Sequence, residues 1–397
     1  VAEDPHRPGL LYAGTDNSIF FTLDDGDHWR PLQTNLPHTP VYWITVQPDR
    51  SDLVVATHGR GIWILDDITP LRQMGEAVLD SEAHLFEPRS AYRFQEKMPV
   101  LSHPDDPIRG HNPPDRAVLN YYLKAAPQGE VKLAVFDATS KLVRSFSSRG
   151  TGREKLPTLA GINRFWWDMR YAPVQPTKLK VAPVGSPWVK AGSNDNREVV
   201  TWFRDNARRG PTVAPGTYTV KLTVDGQTTS ASMVVMKDPN SEGTDQDIHS
   251  QVELALAIRD DLDQAVATIN AIELLRKQLA ALKDGSEYAG VAKQAEALND
   301  KLIAVEGQLV DVKLTGAVED AFRNPMRIYG RLSGLLDQVG NLSADFAPTD
   351  QQQHVFGILS GDVKAQVNAF GKLKSQDLPT FNNQLKGKGL TSLAIPD

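Results

Sequence analysis

The most constraining feature of this sequence is a stretch near its start that repeats with a step of 42 positions, the distance from Leu11 to Leu53. Each copy holds two short runs rich in β-branched and aromatic residues, separated by a turn that carries glycine. Runs of that kind are typical of antiparallel strand pairs. The identities that share the step, without a gap, are Leu11 and Leu53, Thr15 and Thr57, Leu23 and Leu65, Asp24 and Asp66, and Asp25 and Asp67.

A step of about 40 to 45 residues with several strands in each copy is typical of the blades of a β-propeller. A propeller closes its ring with about four to eight blades, whereas this chain of 397 residues holds two copies of the repeat. We therefore predict that residues 1–73 are the last two blades of an incomplete propeller. The remaining blades are expected on the same precursor or on a companion chain.

The first copy is shorter than the second at its beginning. A strand-like run from Val41 to Pro48 precedes the matched region of the second copy, whereas only Val1 to Pro5 stand at that place in the first. This difference favours a chain that begins within a blade, as a fragment, a proteolytic product or a partly traced protein, over a natural start.

Composition limits the classes of protein to which the chain can belong. At 397 residues, with 40% hydrophobic and 23% charged residues, it is expected to hold two to four globular domains. A net charge of −6 argues against a nucleic-acid partner, which usually requires a basic face. The absence of cysteine excludes disulfides and thiolate sites, and no apolar run reaches the roughly 18 residues of a membrane span.

Beyond the repeats the pattern changes twice before the helical region. Residues 74–116 are rich in proline and predict an irregular connector. Residues 117–240 predict an immunoglobulin-like β-sandwich, interrupted by an inserted loop at 172–214, and the Asp225-Gly226 pair predicts a tight hairpin within it. The predicted strands are 117–124, 131–137, 141–148, 163–170, 216–226 and 228–238.

Residues 244–397 have helical periodicity and predict a C-terminal antiparallel bundle of four helices. The second helix carries a heptad seam, and the fourth begins at a capping box formed by Thr349 and Gln352. We interpret the seam as the core of the bundle, and the alternative is a helical surface that docks another chain or forms an oligomer. The predicted helices are 244–283, 291–312, 319–342 and a fourth from 349.

The first copy of the repeat contains an Asp box, the pattern S/T-x-D-x-G-x-x-W, at Thr22, Asp24, Gly26 and Trp29. Threonine and aspartate side chains can accept backbone N–H bonds in a tight turn, glycine supplies a positive φ, and the tryptophan covers the turn. We interpret the box as structural. The second copy has Ile68 and Leu71 where Gly26 and Trp29 would fall, a degenerate ending that fits a last blade.

Four polar residues of the second copy are candidates for ligand contact: His58, Arg60, Asp66 and Asp67. His58 and Arg60 stand at a predicted turn, where a propeller exposes its loops. The simpler interpretation is a turn in which Arg60 pairs with a carboxylate. We favour it because this chain lacks the other blades that would complete a binding site.

Two further groups of residues are candidate sites. A loop rich in His and Asp matches no defined metal-site spacing, so we predict a solvated linker, no metal and no cofactor. A set of aromatic residues could line a carbohydrate platform, although alternation along the strand sends Trp166 and Trp167 to opposite faces. The loop residues are His103, Asp105, Asp106, His111 and Asp115, and the aromatic set is Trp166, Trp167, Trp188, Trp202 and Phe203.

These motifs resemble the C-terminal part of large bacterial exported proteins with Asp-box (BNR) repeats, which are sortilin-like β-propeller proteins often labelled glycosyl hydrolases. The resemblance covers nearly the whole chain. It implies one or two propellers upstream, then a β-sandwich, then helices, and an extracellular or periplasmic location. No catalytic residue of that family is matched here. The similar stretches are LYAGTD, TLDDGDHW, DLVVATHGRGIWILDD, HNPPDRAVLNYYL, NRFWWDMR and APGTYTVKLTVDG.

The sequence therefore favours a non-catalytic C-terminal portion of an exported β-propeller protein, which serves assembly and the binding of a carbohydrate or protein ligand. The alternative is part of a glycoside-hydrolase-like enzyme whose two catalytic carboxylates lie on blades absent from this chain. No catalytic residue is predicted within the chain itself.

Overall fold

The structure, a computed structural model, describes the chain except residues 33, 95–112, 191–195, 198, 200–208, 284–287, 318, 324, 342–343 and 396–397. The described chain divides into two compact units. The β unit comprises Val1–Arg170 and Ala214–Pro239, and the helical unit comprises Tyr171–Val213 and Asn240–Asp397. The protein thus combines several β-sheets with C-terminal helices.

The repeated stretch forms two antiparallel sheets in the β unit, which we call the first and second repeat sheets. The strand order in each follows the chain. A shared apolar core between them includes Tyr12 and Ile19 from the first and Leu53 and Val55 from the second. The strands are β1 (Ala2–Glu3), β2 (Leu11–Gly14), β3 (Ile19–Thr22) and β4 (Arg30–Pro31) in the first sheet, and β5 (Val41–Gln47), β6 (Asp52–Thr57) and β7 (Ile62–Leu65) in the second.

The structural equivalence of the two sheets corrects the constant step of 42. Leu11 pairs with Thr22 in the first sheet, and Leu53, 42 positions after Leu11, pairs with Leu65 in the second. Leu65 therefore occupies the place of Thr22, 43 positions earlier. Strands β3 and β7 are therefore related by a step of 43 positions, which is one residue longer than the sequence identities suggest.

The extra residue lies in the hairpin of the second sheet. The connection between paired residues spans 15–18 in the first sheet and 57–61 in the second. After the strands the step is 42 again. The evidence is that Asp25 and Asp67, which are 42 positions apart, both adopt the left-handed conformation with φ 58°. Relative to the first copy, a one-residue insertion and a one-residue deletion thus cancel within the second copy, and the ungapped sequence comparison hides both.

The second copy ends differently from the first. In place of β4 it has a short helix, α1 (Thr69–Gln73), with Pro70 in its first turn, where a missing N–H costs nothing. Ile68 and Leu71, which replace the glycine and tryptophan of the Asp box, are buried in the core shared by the repeat sheets. The degenerate ending therefore exchanges a surface turn for apolar packing.

The remaining strands of the β unit form a three-stranded sheet and a five-stranded sheet that pack face to face. Phe146 and Phe165 lie 4.6 Å apart across them, and Trp167 meets Tyr218 edge-on at 5.9 Å. The three-stranded sheet has the order β13, β10, β8, and the five-stranded sheet has the order β12, β11, β14, β15, β9. The strands are β8 (Ala83–Leu85), β9 (Ala91–Arg93), β10 (Ala117–Leu123), β11 (Lys132–Phe136), β12 (Leu142–Ser147), β13 (Gly161–Trp167), β14 (Gly216–Val224) and β15 (Gln227–Lys237).

All six strands predicted between 117 and 238 are present, with ends that differ by a few residues. The hairpin at Asp225-Gly226 is confirmed, since both residues have positive φ, 47° and 84°. The predicted connector at 74–116 holds more regular structure than expected: helix α2 (Glu76–Asp80) and strands β8 and β9. These strands have only three residues each, too few to show alternation in the sequence.

The helical unit is built on one long helix, against which the others pack. The predicted capping box at Thr349 with Gln352 is present, and the structure shows a second one at Thr244 with Asp247. The third predicted helix is broken near Pro325, as expected where a proline restricts the residue before it. The helices are α3 (Asp245–Leu282), α4 (Ala292–Leu309), α5 (Asp320–Arg323), α6 (Ile328–Leu336), α7 (Asp350–Lys372) and α8 (Leu378–Gly387), with π-helical turns at Asp337–Asn341 and Leu373–Asp377.

The inserted segment at 171–213, which nearly coincides with the predicted inserted loop at 172–214, groups with the helical unit. Side chains on one face of α3 accept its backbone N–H groups: Asp263 Oδ1 from Gln175 at 2.9 Å and Asn270 Oδ1 from Lys178 at 2.7 Å. Glu273 Oε2 accepts from Val181 at 2.8 Å. The positions 263, 270 and 273 recur at helical spacing, so α3 satisfies an otherwise irregular backbone.

A buried ion-pair network joins α3 to α4. The Arg276 Nη1 atom donates to Glu273 Oε1 at 3.0 Å and to Glu306 Oε2 at 2.6 Å, and all three side chains are buried. Burial raises the pKa of Glu306 well above its usual value, against the opposing effect of the Arg276 charge. The single charge of Arg276 is therefore shared between two acidic side chains in the interior, and one of them, Glu273, also holds the inserted segment.

Candidate functional site

The Asp box forms a compact hydrogen-bonded turn directly after β3. The Thr22 hydroxyl donates to Asp24 Oδ1 at 2.6 Å and accepts from the Gly26 N–H at 3.1 Å. Asp24 Oδ1 also accepts the His28 N–H at 2.9 Å. Gly26 has φ 103°, and a Cβ at that position would lie 3.8 Å from the indole nitrogen of Trp29. The polar groups of the box are thus used within the turn itself.

The charge of Asp24 is stabilised by the same turn. Hydrogen bonds from the Thr22 side chain, and from the backbone and ring of His28, hold the pKa of Asp24 well below its usual value. The His28 Nδ1 atom lies 2.8 Å from Asp24 Oδ2 at an exposed position. The carboxylate is therefore ionised at every ordinary pH, which suits a hydrogen-bond acceptor in a turn and does not suit a proton donor.

Substituting Thr22 by valine is expected to destabilise the β unit by about 1–2 kcal/mol, because the buried hydroxyl makes several hydrogen bonds and valine makes none. Thr22→Ser keeps the hydroxyl and loses only a buried methyl group, so this matched control should lose about 0.8 kcal/mol. Urea unfolding followed by tryptophan fluorescence measures both. A loss for Thr22→Val no larger than that for Thr22→Ser would contradict the prediction, because the hydrogen bonds of the hydroxyl would then contribute no more than the buried methyl group.

The structure places His58 and Arg60 in the exposed hairpin between β6 and β7. The His58 ring lies 5.2 Å from the ring of Tyr42, and the His58 carbonyl accepts a hydrogen bond from the Thr39 hydroxyl at 3.1 Å. The Arg60 carbonyl accepts from the Trp63 indole at 3.0 Å. Within the described chain the Arg60 side chain forms no ion pair, so the favoured interpretation of a turn closed by such a pair does not describe this hairpin.

Asp67 is buried and ties the second repeat sheet to the three-stranded sheet of β13, β10 and β8. Its Oδ1 atom accepts from the Thr69 hydroxyl at 2.6 Å, and its Oδ2 atom accepts from the Asn120 amide at 2.8 Å. The Asp67 carbonyl accepts from Arg164 Nη2 at 2.9 Å, and its own N–H donates to Asp52 Oδ1 at 2.9 Å. These bonds give Asp67 a structural role.

Asp66 precedes it and is only partly buried. Its pKa is raised, first by burial and then by the nearby charge of Asp52. Asp66 and Asp67 stand at one end of β7 and His58 and Arg60 beyond the other, so the structure does not bring the four candidates together.

The second repeat sheet exposes a continuous apolar face. Trp43, Ile62 and Ile64 are 72%, 71% and 58% exposed. Directly paired residues of neighbouring strands point to the same side of a sheet. One row of pairs across the sheet is Trp43, Ala56 and Ile62, and the next row on the same side is Thr45, Val54 and Ile64. We call this surface the open face: Trp43, Thr45, Val54, Ala56, Ile62 and Ile64. It contains no charged residue.

The open face is the structural equivalent of the face by which the first repeat sheet contacts the second. Ladder pairing places Tyr12 at the position of Val54, Ile19 at that of Ile62, and Phe21 at that of Ile64. Tyr12 and Ile19 are buried against the second sheet, and Phe21 packs on the same core.

The two repeat sheets approach each other closely at Gly14, the equivalent of Ala56. A Cβ added to Gly14 would lie 2.6 Å from a methyl carbon of Val41 on the second sheet, a distance that real side chains do not tolerate. The two sheets therefore pack closely through this face. Within the described chain the same face of the second sheet has no such partner.

Sequence reasoning missed the open face, although a signal for it exists. The run Ile62–Leu65 is apolar at every position, and Val41 to Ile44 nearly so. Strands that are apolar on both sides are typical of sheets covered on both faces. The pattern therefore indicates two partners for this sheet, and the structure supplies one.

A cleft of about 700 Å³ lies elsewhere in the β unit. The Arg50 guanidinium stacks 4.7 Å above the Tyr92 ring, which is itself stacked on Phe94 at 5.6 Å. Arg89 Nη1 donates to the Arg50 carbonyl at 2.6 Å and to Asp52 Oδ1 at 3.2 Å. Phe94 and Pro113, at the edge of the cleft, flank residues 95–112, which lie outside the described residues.

The other two predicted groups are only partly described. Asp115 lines the cleft, whereas His103, Asp105, Asp106 and His111 lie outside the described residues. Among the residues that are described, no cluster of three or more histidine and carboxylate side chains could hold a metal ion.

The aromatic residues do not form a single platform in the described structure. Trp167 is fully buried, and its indole donates to the Arg170 carbonyl at 3.1 Å. Trp166 is half-buried on the opposite side of the strand, as alternation predicts, with Arg164 over its ring at 5.8 Å. Trp188 is exposed in the helical unit, and Trp202 and Phe203 lie outside the described residues.

Comparison with known proteins adds no identity. The chain matches no protein-family model and no curated protein. None of the helices in the described part of the chain combines the length and the apolar character needed to cross a membrane.

Proposed function

We propose that this chain is a non-catalytic binding and assembly module of a β-propeller protein. Residues 1–73 are two neighbouring blades, the paired sheets of the β unit form an immunoglobulin-like sandwich, and the helical unit follows as a bundle. We further propose that the protein is exported and carries Asp-box repeats, as the sequence resemblance implies.

The observation that carries the proposal is the open face. An uncharged surface with two isoleucines and a tryptophan well over half exposed is unusual unless it is an interaction site. The same side of the first repeat sheet is already used for packing between repeats. Successive copies that stack in this way are the arrangement of propeller blades.

A triple variant, Trp43→Ser with Ile62→Thr and Ile64→Thr, tests the role of the open face in assembly. We expect each of the three substitutions to change the free energy of unfolding in urea by less than about 0.5 kcal/mol, because exposed side chains without internal partners contribute little to stability. Its binding of an apolar dye should fall at least about twofold relative to the parent chain.

A control variant exchanges three exposed apolar residues of the sandwich for threonine: Leu142, Leu159 and Val234, which are 50%, 74% and 41% exposed. Its dye binding should change little. A loss of several kcal/mol in the open-face variant would mean that these residues support the fold internally, and the proposed assembly role would then fail.

A further inference from the structure

We propose that the free edge of strand β15 binds an extended peptide of a partner protein, which joins the five-stranded sheet as an added strand. This inference goes beyond the proposed function, because the edge lies in the five-stranded sheet and not in the repeat sheets that carry the open face. Strand addition of this kind is a general mode of peptide recognition.

Strand β15 has a neighbour along the whole of one side and along only part of the other. It pairs with β14 from Gln227 to Val235, whereas on the other side β9 pairs only with Val235, Met236 and Lys237. Within the described chain the stretch 227–234 therefore has no neighbouring strand on that side. We call this stretch the β15 edge.

The hairpin that begins β15 determines which backbone groups point outward. Its turn, 225–226, has two residues with positive φ, and the residues that flank a turn of this type form a hydrogen-bonded pair. Because bonding alternates along an antiparallel ladder, Thr228, Ser230 and Ser232 direct their N–H and C=O groups away from β14. These three residues are exposed, and no part of the described chain bonds to those outward groups.

The β15 edge also lacks the features that usually protect an edge strand from pairing. Natural edges are commonly blocked by lysine, by proline or by a bulge. The stretch 227–234 contains no charged residue and no proline, and its pairing with β14 runs without a shift of register. The backbone of the edge is therefore ready to accept a further strand.

A groove of about 380 Å³ beside the edge defines the side chains that the peptide should carry. Gln227 and Thr229 border this groove from β15. The side chains of an added strand alternate between the two faces of the sheet, so every second residue of the peptide faces the groove and should be small and apolar. The apolar residues that line the groove are Ala83, Ala125, Ala126, Pro127, Leu222 and Val224.

Charge at the rim of the groove adds a second requirement. Glu82 and Asp225 both line it, and Glu82 pairs with Lys124 at 3.4 Å. Asp225 Oδ1 accepts the Gly129 N–H at 3.0 Å, but Asp225 has no ion pair within the described chain. A lysine at the end of the peptide beside the hairpin would therefore meet a complementary charge.

The experiment uses the full 397-residue chain and a fluorescein-labelled peptide of alternating valine and threonine with a lysine at each end. We expect saturable binding by fluorescence anisotropy, and slower hydrogen exchange at the amides of Thr228, Ser230 and Ser232 in the complex. A control peptide with proline in place of each valine should not bind, because proline cannot donate to a strand ladder.

Two variants of the chain test the site itself. Ser230→Pro removes an outward N–H and should weaken binding at least about tenfold, whereas Ser230→Thr keeps that N–H and should change the dissociation constant less than about twofold. Thr229→Arg fills the groove with a cationic side chain and leaves the backbone donors in place. It should also weaken binding at least about tenfold, and it decides the matter if the proline variant does not fold.

The inference fails if the valine peptide does not bind saturably, if the proline peptide binds equally well, or if Thr229→Arg leaves the dissociation constant unchanged. Association of the chain with itself, abolished by Thr229→Arg, would also overturn it and would make a second copy the occupant. The open-face variant should bind the peptide as the parent chain does. The inference and the proposed function can therefore fail separately.

Discussion

Replacement of Arg276 by methionine is expected to destabilise the helical unit by about 3–5 kcal/mol, the cost of leaving buried carboxylates without their counter-charge. Arg276 donates to both Glu273 and Glu306, so the variant leaves two acidic side chains facing each other in the interior. Glu273 also accepts the N–H of Val181, so the inserted segment should loosen together with the helices.

Urea unfolding followed by the helical circular dichroism signal measures this loss. Lys301→Met is the matched control, because its ion pair with Asp377 is exposed and such pairs contribute about 0–1 kcal/mol. Burial already raises the pKa of Glu306, so that carboxyl is readily protonated. The destabilisation caused by the Arg276 variant should therefore shrink as the pH falls. A loss no larger than that of the control, at any pH, would contradict the account of the network.

The second large effect is expected at Asp67, where alanine should cost about 2–4 kcal/mol more than alanine at Asp25. Asp67→Ala leaves the Asn120 amide and the Thr69 hydroxyl without their acceptor, and buried polar groups without partners cost about 1–3 kcal/mol each. It also places alanine in a left-handed conformation, which alanine tolerates poorly.

The repeat provides the control for this backbone effect. Asp25 has the same φ of 58° but is exposed, so Asp25→Ala carries the conformational cost without the loss of buried hydrogen bonds. Both variants can be compared by urea unfolding of the full chain with tryptophan fluorescence. Equal losses would show that backbone conformation alone explains the effects at both aspartates, and that Asp67 does not join the second repeat sheet to the three-stranded sheet.

Features that depend on local chemistry could be read from the sequence. The Asp225-Gly226 hairpin and the caps at Thr244 and Thr349 are set by side chains that act within a few residues of themselves. The Asp box belongs to the same class, because Thr22 and Asp24 bond within their own turn.

Features that depend on distant partners could not be read in this way. The extra residue in the hairpin at 57–61 becomes visible only when strand pairing is known. The attachment of the inserted segment depends on Asp263 and Glu273, whose side chains accept backbone groups about 90 positions away. Asp67 has the sequence context of a surface turn, and its burial results from strands that follow much later.

The open face falls between these two classes. Its strands have the apolar pattern of a sheet covered on both sides, but only the packing of the first repeat sheet shows which side remains uncovered. The identity of its partner is therefore a question about the whole assembly.

The most direct test of this account is a structure of the full product of the reading frame that contains this chain. We predict that a further antiparallel sheet packs on Trp43, Ile62 and Ile64, with the spacing of about 10 Å typical of stacked sheets. Finding those three side chains in solvent, or covered by a helix, in the complete protein would contradict it.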